Sequence, residues 1–256
     1  MDHAAFIRAN TEILSPPLVP EVRLHLAPEA LSIWQKTEDE LGEIGLPPPF
    51  WAFAWAGGQA LARHVLDYPT LVRGKRVVDL ASGSGLVGIA ALKAGATSVL
   101  AADIDGFSVL AIVLNAELNG FPIVSLHRHP GEGRGPALVT ETVFPKRDSG
   151  LRRNDGIKSG EKFSGISITA EDLLLNPAPS CDIILVGDLF YEQGLAHRCF
   201  DWLTEAKVLG IDVLIGDPGR SYLPKEKLIR IADYAVPVTR DLEDAEIKKT
   251  AVWRLA

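Results

Sequence analysis

The sequence predicts an α/β fold: a mostly parallel, doubly wound sheet with a C-terminal antiparallel hairpin and an N-terminal helical extension. Three observations predict it. Short runs rich in Ile, Val and Ala recur along the chain and alternate with segments of helical periodicity. The stretch from Val77 to Gly88 passes from an apolar strand through a Gly-rich turn into a helix. The last two apolar runs lie close enough together to pair as a hairpin. Alternating strands and helices imply parallel crossovers, and runs that are apolar at every position suit strands buried on both faces.

The elements follow in order. Residues 1–56 form an extension expected to pack on the domain, rich in Pro, with a helix over Glu29 to Ile44 whose Leu31, Trp34, Leu41 and Ile44 share a face. Residues 57–256 form the domain itself. Helices are expected over Gln59 to Asp67, Leu86 to Ala94 and Phe107 to Leu118. Strands are expected over Arg76 to Ala81, Ser98 to Ile104, Ile166 to Ala170, Asp182 to Gly187 and Val213 to Gly216, with the hairpin from Ala235 to Arg240 and Thr250 to Leu255. Asn119-Gly120 reads as a helix end, with glycine beyond the cap.

The stretch 127–165 does not belong to this pattern. Its centre, from Arg128 to Phe163, holds six Gly and three Pro, with eight basic and five acidic side chains and no apolar periodicity. A structureless run of this length inside a domain reads as an insertion or a functional lid. Its text resembles the translated repetitive palindromic elements inserted in bacterial genes, which implies a flexible surface insertion and a bacterial source.

Composition narrows the function. The 256 residues are 47% hydrophobic and 23% charged, ordinary for a globular chain. A net charge of −7 argues against a general nucleic-acid binder, because phosphate contacts need Lys and Arg. The N-terminus has no basic region followed by an apolar core, and the longest apolar stretch, Ser98 to Leu114, is broken by Asp103 and Asp105, so a cytoplasmic protein without a membrane contact is expected. Cys181 and Cys199 make neither a disulfide framework nor a metal-ligand spacing, and the six His are scattered, so no metal is expected. No heptad pattern is legible, and a monomer is the expectation.

The chemistry-bearing stretch is Val77-Val78-Asp79-Leu80-Ala81-Ser82-Gly83-Ser84-Gly85-Leu86-Val87-Gly88. Gly83 and Gly85 let the backbone turn tightly and approach a ligand, and the helix start offers free N–H groups. Gly83, Gly85 and Gly88 also spell the dinucleotide fingerprint, and Asp103 ends the next strand, where a ribose-binding acid belongs. Two readings therefore compete: S-adenosylmethionine (SAM) and NAD. Asp79 favours SAM, whose amino-acid end is an ammonium and whose sulfonium is cationic; a pyrophosphate needs only backbone donors.

The spacing D-x-x-x-G-x-G resembles the first motif of the SAM-dependent methyltransferases, and Asp103 resembles their ribose acid. Glu171-Asp172-Leu173 follows the third strand, where such enzymes present an acid to the adenine amino group; Asp172 is the better match and Glu171 the second, against the plainer reading of a helix-start carboxylate. Gly187-Asp188-Leu189-Phe190-Tyr191 lacks the prolines of amide and DNA-amine methyltransferases. It resembles, with Trp55-Ala56-Gly57-Gly58 and Asp217-Pro218-Gly219-Arg220, the lysine methyltransferases that modify the β-subunit of electron transfer flavoprotein.

That resemblance covers nearly the whole chain except the stretch from about 127 to 165. It implies a Rossmann-like seven-stranded methyltransferase sheet and transfer of methyl groups from SAM to lysine side chains, leaving S-adenosylhomocysteine. It implies cofactor contacts at Trp55, Gly58, Asp79, Ala81, Gly83, Gly85, Asp103, Ile104, Asp172, Leu173 and Asp188. Asp188 and Tyr191 would be catalytic, with Phe190, Tyr191 and Arg220 facing the substrate. Trp55 reads equally as a core tryptophan, while for Phe190 core packing is the stronger reading. A ribosomal protein is the alternative acceptor. An NAD-dependent oxidoreductase is the alternative of another class, and a SAM-binding protein disabled by its insertion is the third.

Overall fold

The computed structural model describes residues 3–28, 32–33, 49–127, 164–239 and 245–256. The expected helix from Glu29 to Ile44 and the centre of the 127–165 stretch lie outside these residues, apart from a helical fragment at 32–33.

Among the described residues, eight strands form the central sheet. They are β3 (Arg76–Leu80), β4 (Ser98–Ala102), β5 (Ile123–His127), β6 (Gly165–Thr169), β7 (Ile183–Gly187), β8 (Asp212–Asp217), β9 (Leu228–Pro237) and β10 (Ile247–Leu255). Their order is β5-β6-β4-β3-β7-β8-β10-β9. β5 through β8 run parallel, while β10 is antiparallel to both β8 and β9, which gives the expected C-terminal hairpin. The sheet thus carries one edge strand more than the seven expected. β5 follows Pro122 and is nowhere fully buried, so it lacks the apolar run that marks the inner strands.

Side-chain alternation divides the sheet between two cores. Val77, Val99, Ile166, Ile183, Leu185 and Leu214 face one core, with helices α2 (Ala56–Asp67), α3 (Leu86–Lys93) and α4 (Gly106–Leu118). Val78, Leu80, Ile184, Val186, Val213 and Ile215 face the other, under α5 (Gln193–Val208). The period of two is what an L-chain strand dictates. β9 and β10 are longer than the hairpin expected over Ala235 to Arg240 and Thr250 to Leu255. Along β9 the exposed Arg230 and Asp233 interrupt the apolar pattern, as an edge strand permits. Cys181 and Cys199 are both free and buried.

The N-terminal segment contributes α1 (His3–Asn10) and an antiparallel ladder of β1 (Glu12–Leu14) with β2 (Leu24–Leu26). Phe107 on α4 gathers His3, Phe6 and Trp51 at ring-centroid distances of 4.1, 5.5 and 5.7 Å. Two asparagines fix β2 to α4. Fully buried Asn115 accepts the His25 N–H at 2.7 Å and donates to the Ser84 carbonyl at 2.8 Å, so it ties β2 to the Gly-rich turn. Asn119, at the C-cap of α4, donates to the Arg23 carbonyl. Gly120 follows with φ 78°, which completes the expected helix end.

Asn115→Ala strips a partner from the part-buried His25 N–H and from the buried Ser84 carbonyl. Each orphaned group costs about 1–3 kcal/mol. Urea unfolding is expected to show that loss as a lower midpoint at unchanged slope.

Candidate functional site

A cavity of about 720 Å³ opens at the C-terminal ends of β3, β4 and β7. Pockets for small ligands run from roughly 300 to 1,000 Å³ and favour this end of a parallel sheet. Its wall includes Trp55, Gly58, Asp79, Ala81, Gly83, Asp103, Ile104, Asp172, Leu173, Asp188, Tyr191 and Arg220. Of the expected site residues, only Gly85 and Phe190 stand outside it.

The first wall is the turn between β3 and α3. The chain leaves β3 at Ala81 with φ 52°, continues through Gly83 at φ 54°, and enters α3 from Gly85 at φ 81°. A left-handed alanine costs about 1–2 kcal/mol. Ala81→Gly relieves that strain in the folded state.

Asp79 is 1% exposed and sits under this turn. Its Oδ2 accepts from Ser82 Oγ and, at 2.9 Å, from the N–H of Gly88 in the first turn of α3. Gly88 is glycine because an added Cβ would lie 3.0 Å from that Oδ2 and from Val99. The third glycine of the apparent dinucleotide fingerprint thus seats a carboxylate. Burial is the main cause that pushes Asp79 up to about 7, against the hydrogen bonds from Ser82 and Gly88.

Asp103 follows β4. Its Oδ2 accepts from Gly83 N–H at 2.8 Å and its Oδ1 from Asp105 N–H at 3.0 Å. Each oxygen retains a second acceptor position. Burial raises this carboxyl to about 6. Asp105 caps α4 by accepting from the N–H groups of Phe107 and Ser108.

Asp172 caps the 3-10 turn Leu173–Leu175, accepting from Leu174 N–H at 3.0 Å, and its Oδ2 lies 3.5 Å from Arg198. Its carboxylate therefore serves the local helix start, as the plainer reading has it, while also lining the cavity. Glu171 is exposed and outside the wall.

The opposite wall is built on the ends of β7 and β8. Asp188 has φ 59°, a left-handed conformation that Asp tolerates better than most residues. Three bonds hold it. Its N–H donates to Gly216 O at 2.9 Å, Oδ2 accepts from Gly57 N–H at 2.9 Å, and Oδ1 accepts from Arg220 Nε at 2.6 Å.

The bond to Gly57 requires the start of α2 to touch the strand ends. A Cβ on Gly57 would lie 2.3 Å from Gly216 O, and one on Gly216 would lie 2.1 Å from Gly57 O. Gly57 and Gly216 have no chemistry of their own, and no local signal in the sequence marks their contact.

Phe190 requires a correction. It is 0% exposed and belongs to the core under α5, so it does not face a substrate. The left-handed turn at Asp188 breaks the strand alternation from which its direction would be read. The aromatic neighbour of Tyr191 is instead Phe50, at 5.3 Å between ring centroids. Phe50 comes from the 3-10 turn Phe50–Ala52, and its carbonyl receives Trp55 Nε1–H at 3.0 Å. Trp55 is both the N-cap of α2 and a wall of the cavity. Tyr191 is 44% exposed at the mouth, beside a second recess of about 330 Å³ that also touches Arg220 and Lys248.

Among the described residues no group of three or more His, Cys, Asp or Glu could hold a metal ion, and no helix is long and apolar enough to cross a membrane.

The family described as Ribosomal protein L11 methyltransferase (PrmA) matches residues 62–133. The electron transfer flavoprotein beta subunit lysine methyltransferase of Rattus norvegicus is 33% identical, over 97% of this chain and 82% of that protein. The Homo sapiens protein of the same name is 30% identical, over 97% and 80%. The ribosomal protein L11 methyltransferase of Acinetobacter baumannii (strain SDF) is 55% identical, but over 20% of this chain and 17% of that protein.

Proposed function

Since this chain belongs to the electron transfer flavoprotein beta subunit lysine methyltransferase family, we propose that it carries a methyl group from SAM to a lysine side chain, with the β subunit of electron transfer flavoprotein as its acceptor. It is a methyltransferase, and the finer assignment concerns cofactor, residue and partner. One observation carries the cofactor reading. The N–H groups of Gly83 and Gly88 donate to Asp103 and Asp79, so one carboxylate lies beneath the Gly-rich turn and a second beside it. A turn flanked by two of its own carboxylates suits a cationic ligand better than the pyrophosphate of NAD.

SAM supplies, when bound, a methyl group already activated by its sulfonium. The remaining work is placement and exclusion of water. Asp79 would hold the ammonium of the amino-acid end, and Asp103 has acceptor positions left for the two ribose hydroxyls. Asp172, Leu173 and Ile104 would enclose the adenine end, and Trp55 and Gly58 the methionine end. Asp188 would accept a hydrogen bond from the acceptor amine and turn its lone pair toward the methyl group. Tyr191, backed by Phe50, would wall the approach. A lysine ammonium, with a reference pKa of ~10.4, must first release a proton to solvent. A nearby positive charge and desolvation both favour that release. Alignment of this kind is worth several powers of ten in rate.

Asp79 makes cofactor affinity depend on pH. Burial holds its carboxyl at about 7 in the ligand-free protein. An ammonium beside it lowers that value, so binding below about 7 releases a proton, and affinity falls by up to about tenfold per pH unit. The sign for folding is consistent. The raised carboxyl contributes stability below its unfolded value near 3.8, and that contribution is lost as pH rises through about 7. Calorimetry in buffers of different ionisation enthalpy is expected to show proton release for the wild type and none for Asp79→Asn. Proton uptake would contradict the assignment.

The functional reading is tested by incubating the enzyme and labelled SAM with purified electron transfer flavoprotein and with purified ribosomal protein L11 as separate acceptors. Label in the flavoprotein β subunit supports the proposal. Label in the ribosomal protein alone would overturn the acceptor and keep the reaction. The match to the ribosomal methyltransferase family, over residues 62–133, takes in β3, β4 and β5, the half of the site where SAM would lie, and leaves the turns after β7 and β8 uncovered. Binding of NAD in preference to SAM would overturn the cofactor.

A further inference from the structure

We infer that Arg220 is a positioning residue for Asp188 and not a contact for the acceptor protein. The inference rests on the proposed lysine methylation, in which Asp188 stands beside the incoming amine.

Asp188 and Arg220 leave the sheet from neighbouring parallel strands, after Gly187 and Asp217, with Gly187 and Gly216 paired across the ladder. The side chain of Asp188 is 5% exposed and that of Arg220 is 23% exposed. A carboxylate so far from water needs compensation by charge and hydrogen bonds. It receives both: Arg220 Nε at 2.6 Å on Oδ1 and Gly57 N–H at 2.9 Å on Oδ2. The arginine is itself held. Asp217, 1% exposed, accepts through Oδ1 from Gly219 N–H at 2.6 Å and from Arg220 N–H at 2.7 Å, which fixes the turn that delivers the guanidinium.

If Arg220 turned outward to an acidic group on an acceptor, Asp188 would lose its charge partner. The observed bond from Nε is short and partly buried, which ties the guanidinium to the carboxylate. Held from both sides, the carboxylate cannot rotate. An incoming amine therefore meets the carboxylate in a fixed orientation. That restriction is the placement which in-line transfer requires.

The test uses the full-length enzyme with labelled SAM and flavoprotein acceptor, comparing Arg220→Met, Arg220→Lys, Asp188→Asn and the Asp188→Asn/Arg220→Met double variant. Arg220→Met is expected to lower kcat by about 10- to 100-fold, with acceptor KM and SAM Kd within about threefold of wild type. Arg220→Lys keeps the charge and is expected to recover at least about tenfold of that loss. Arg220→Met added to Asp188→Asn is expected to change kcat by less than about threefold, because its effect runs through the aspartate.

A second readout needs no activity. Amide exchange at Gly57 in the ligand-free protein is expected to accelerate about tenfold in Arg220→Met, as the carboxylate that receives this N–H becomes free to rotate. Absence of lysine methylation by the wild type would overturn the functional reading, and unchanged Gly57 exchange would overturn this inference. So would an acceptor KM about tenfold higher at unchanged kcat, or losses that multiply in the double variant. If Arg220→Met does not fold, Arg220→Lys and the double variant, which buries no unpaired charge, carry the same comparison.

Discussion

Asp188→Ala is expected to lower kcat for methyl transfer by about 10²–10³-fold, the loss that follows removal of one preorganised polar contact to reacting atoms. SAM affinity is expected to stay within a few-fold, because the carboxylates proposed to face SAM, Asp79 and Asp103, are held by Ser82, Gly88, Gly83 and Asp105 and not by Asp188. Alanine also deprives Gly57 N–H and Arg220 of their acceptor, so part of any loss could come from the walls moving apart. Asp188→Asn separates the two causes. An amide oxygen can still receive Gly57 N–H, while the charge that balances Arg220 is gone. Both variants are expected to fall in kcat with SAM binding kept, measured by steady-state transfer and calorimetry. Near-normal kcat in either would remove Asp188 from the reaction.

The second large effect is purely steric. Gly57→Ala would place a Cβ 2.3 Å from Gly216 O and 2.8 Å from Asp188 N. Gly216→Ala would place one 2.1 Å from Gly57 O and 2.8 Å from Leu61 Cβ. Most of these obstacles are backbone, so no side-chain rotation relieves them, and the start of α2 must separate from the ends of β7 and β8. Overpacking of this kind costs typically about 1–3 kcal/mol and more where backbone must move. Either variant is expected to lose at least about 3 kcal/mol of stability and nearly all activity. Gly58→Ala is the internal control. Its Cβ would find nothing nearer than 3.9 Å, and alanine is the better helix former. Its unfolding midpoint is expected to stay at or above the wild-type value, which thermal unfolding checks. A Gly57→Ala variant as stable as Gly58→Ala would contradict the observed approach.

The contrast between Gly57 and Gly58 shows where the sequence is readable. The Gly-rich turn, Asp79 and Asp103 lie within one strand–turn–helix–strand unit, and their placement at the cavity follows from local spacing. The inner strands are legible because both of their faces are apolar. β5 and the β1–β2 ladder are not, because short, partly exposed strands carry no such run.

The second half of the site is assembled by contacts across long sequence separations. Gly57 meets Asp188 131 positions away, and Arg220 meets it 32 positions away. No periodicity encodes either contact. The family resemblance marked these segments as belonging to the site without saying that they bind one another. The resemblance implies a substrate-facing Arg220, and the fold adds its ion pair with Asp188. Phe190 packs in the core, as the stronger of its two readings has it, and the substrate-facing one does not hold; a residue following a left-handed turn cannot be assigned a face by counting from the strand. Phe50, which takes the place beside Tyr191, comes from a Pro-rich stretch whose composition announces a turn and nothing about what the turn covers.

The most direct measurement is a single turnover. Enzyme loaded with labelled SAM is mixed with purified electron transfer flavoprotein, and the labelled residue is located by peptide mass spectrometry, with Asp188→Asn run alongside. The account predicts label on lysine Nε of the β subunit from the wild type and almost none from the variant. Label on another residue type, equal label from Asp188→Asn, or no transfer from an enzyme that still binds SAM would contradict it.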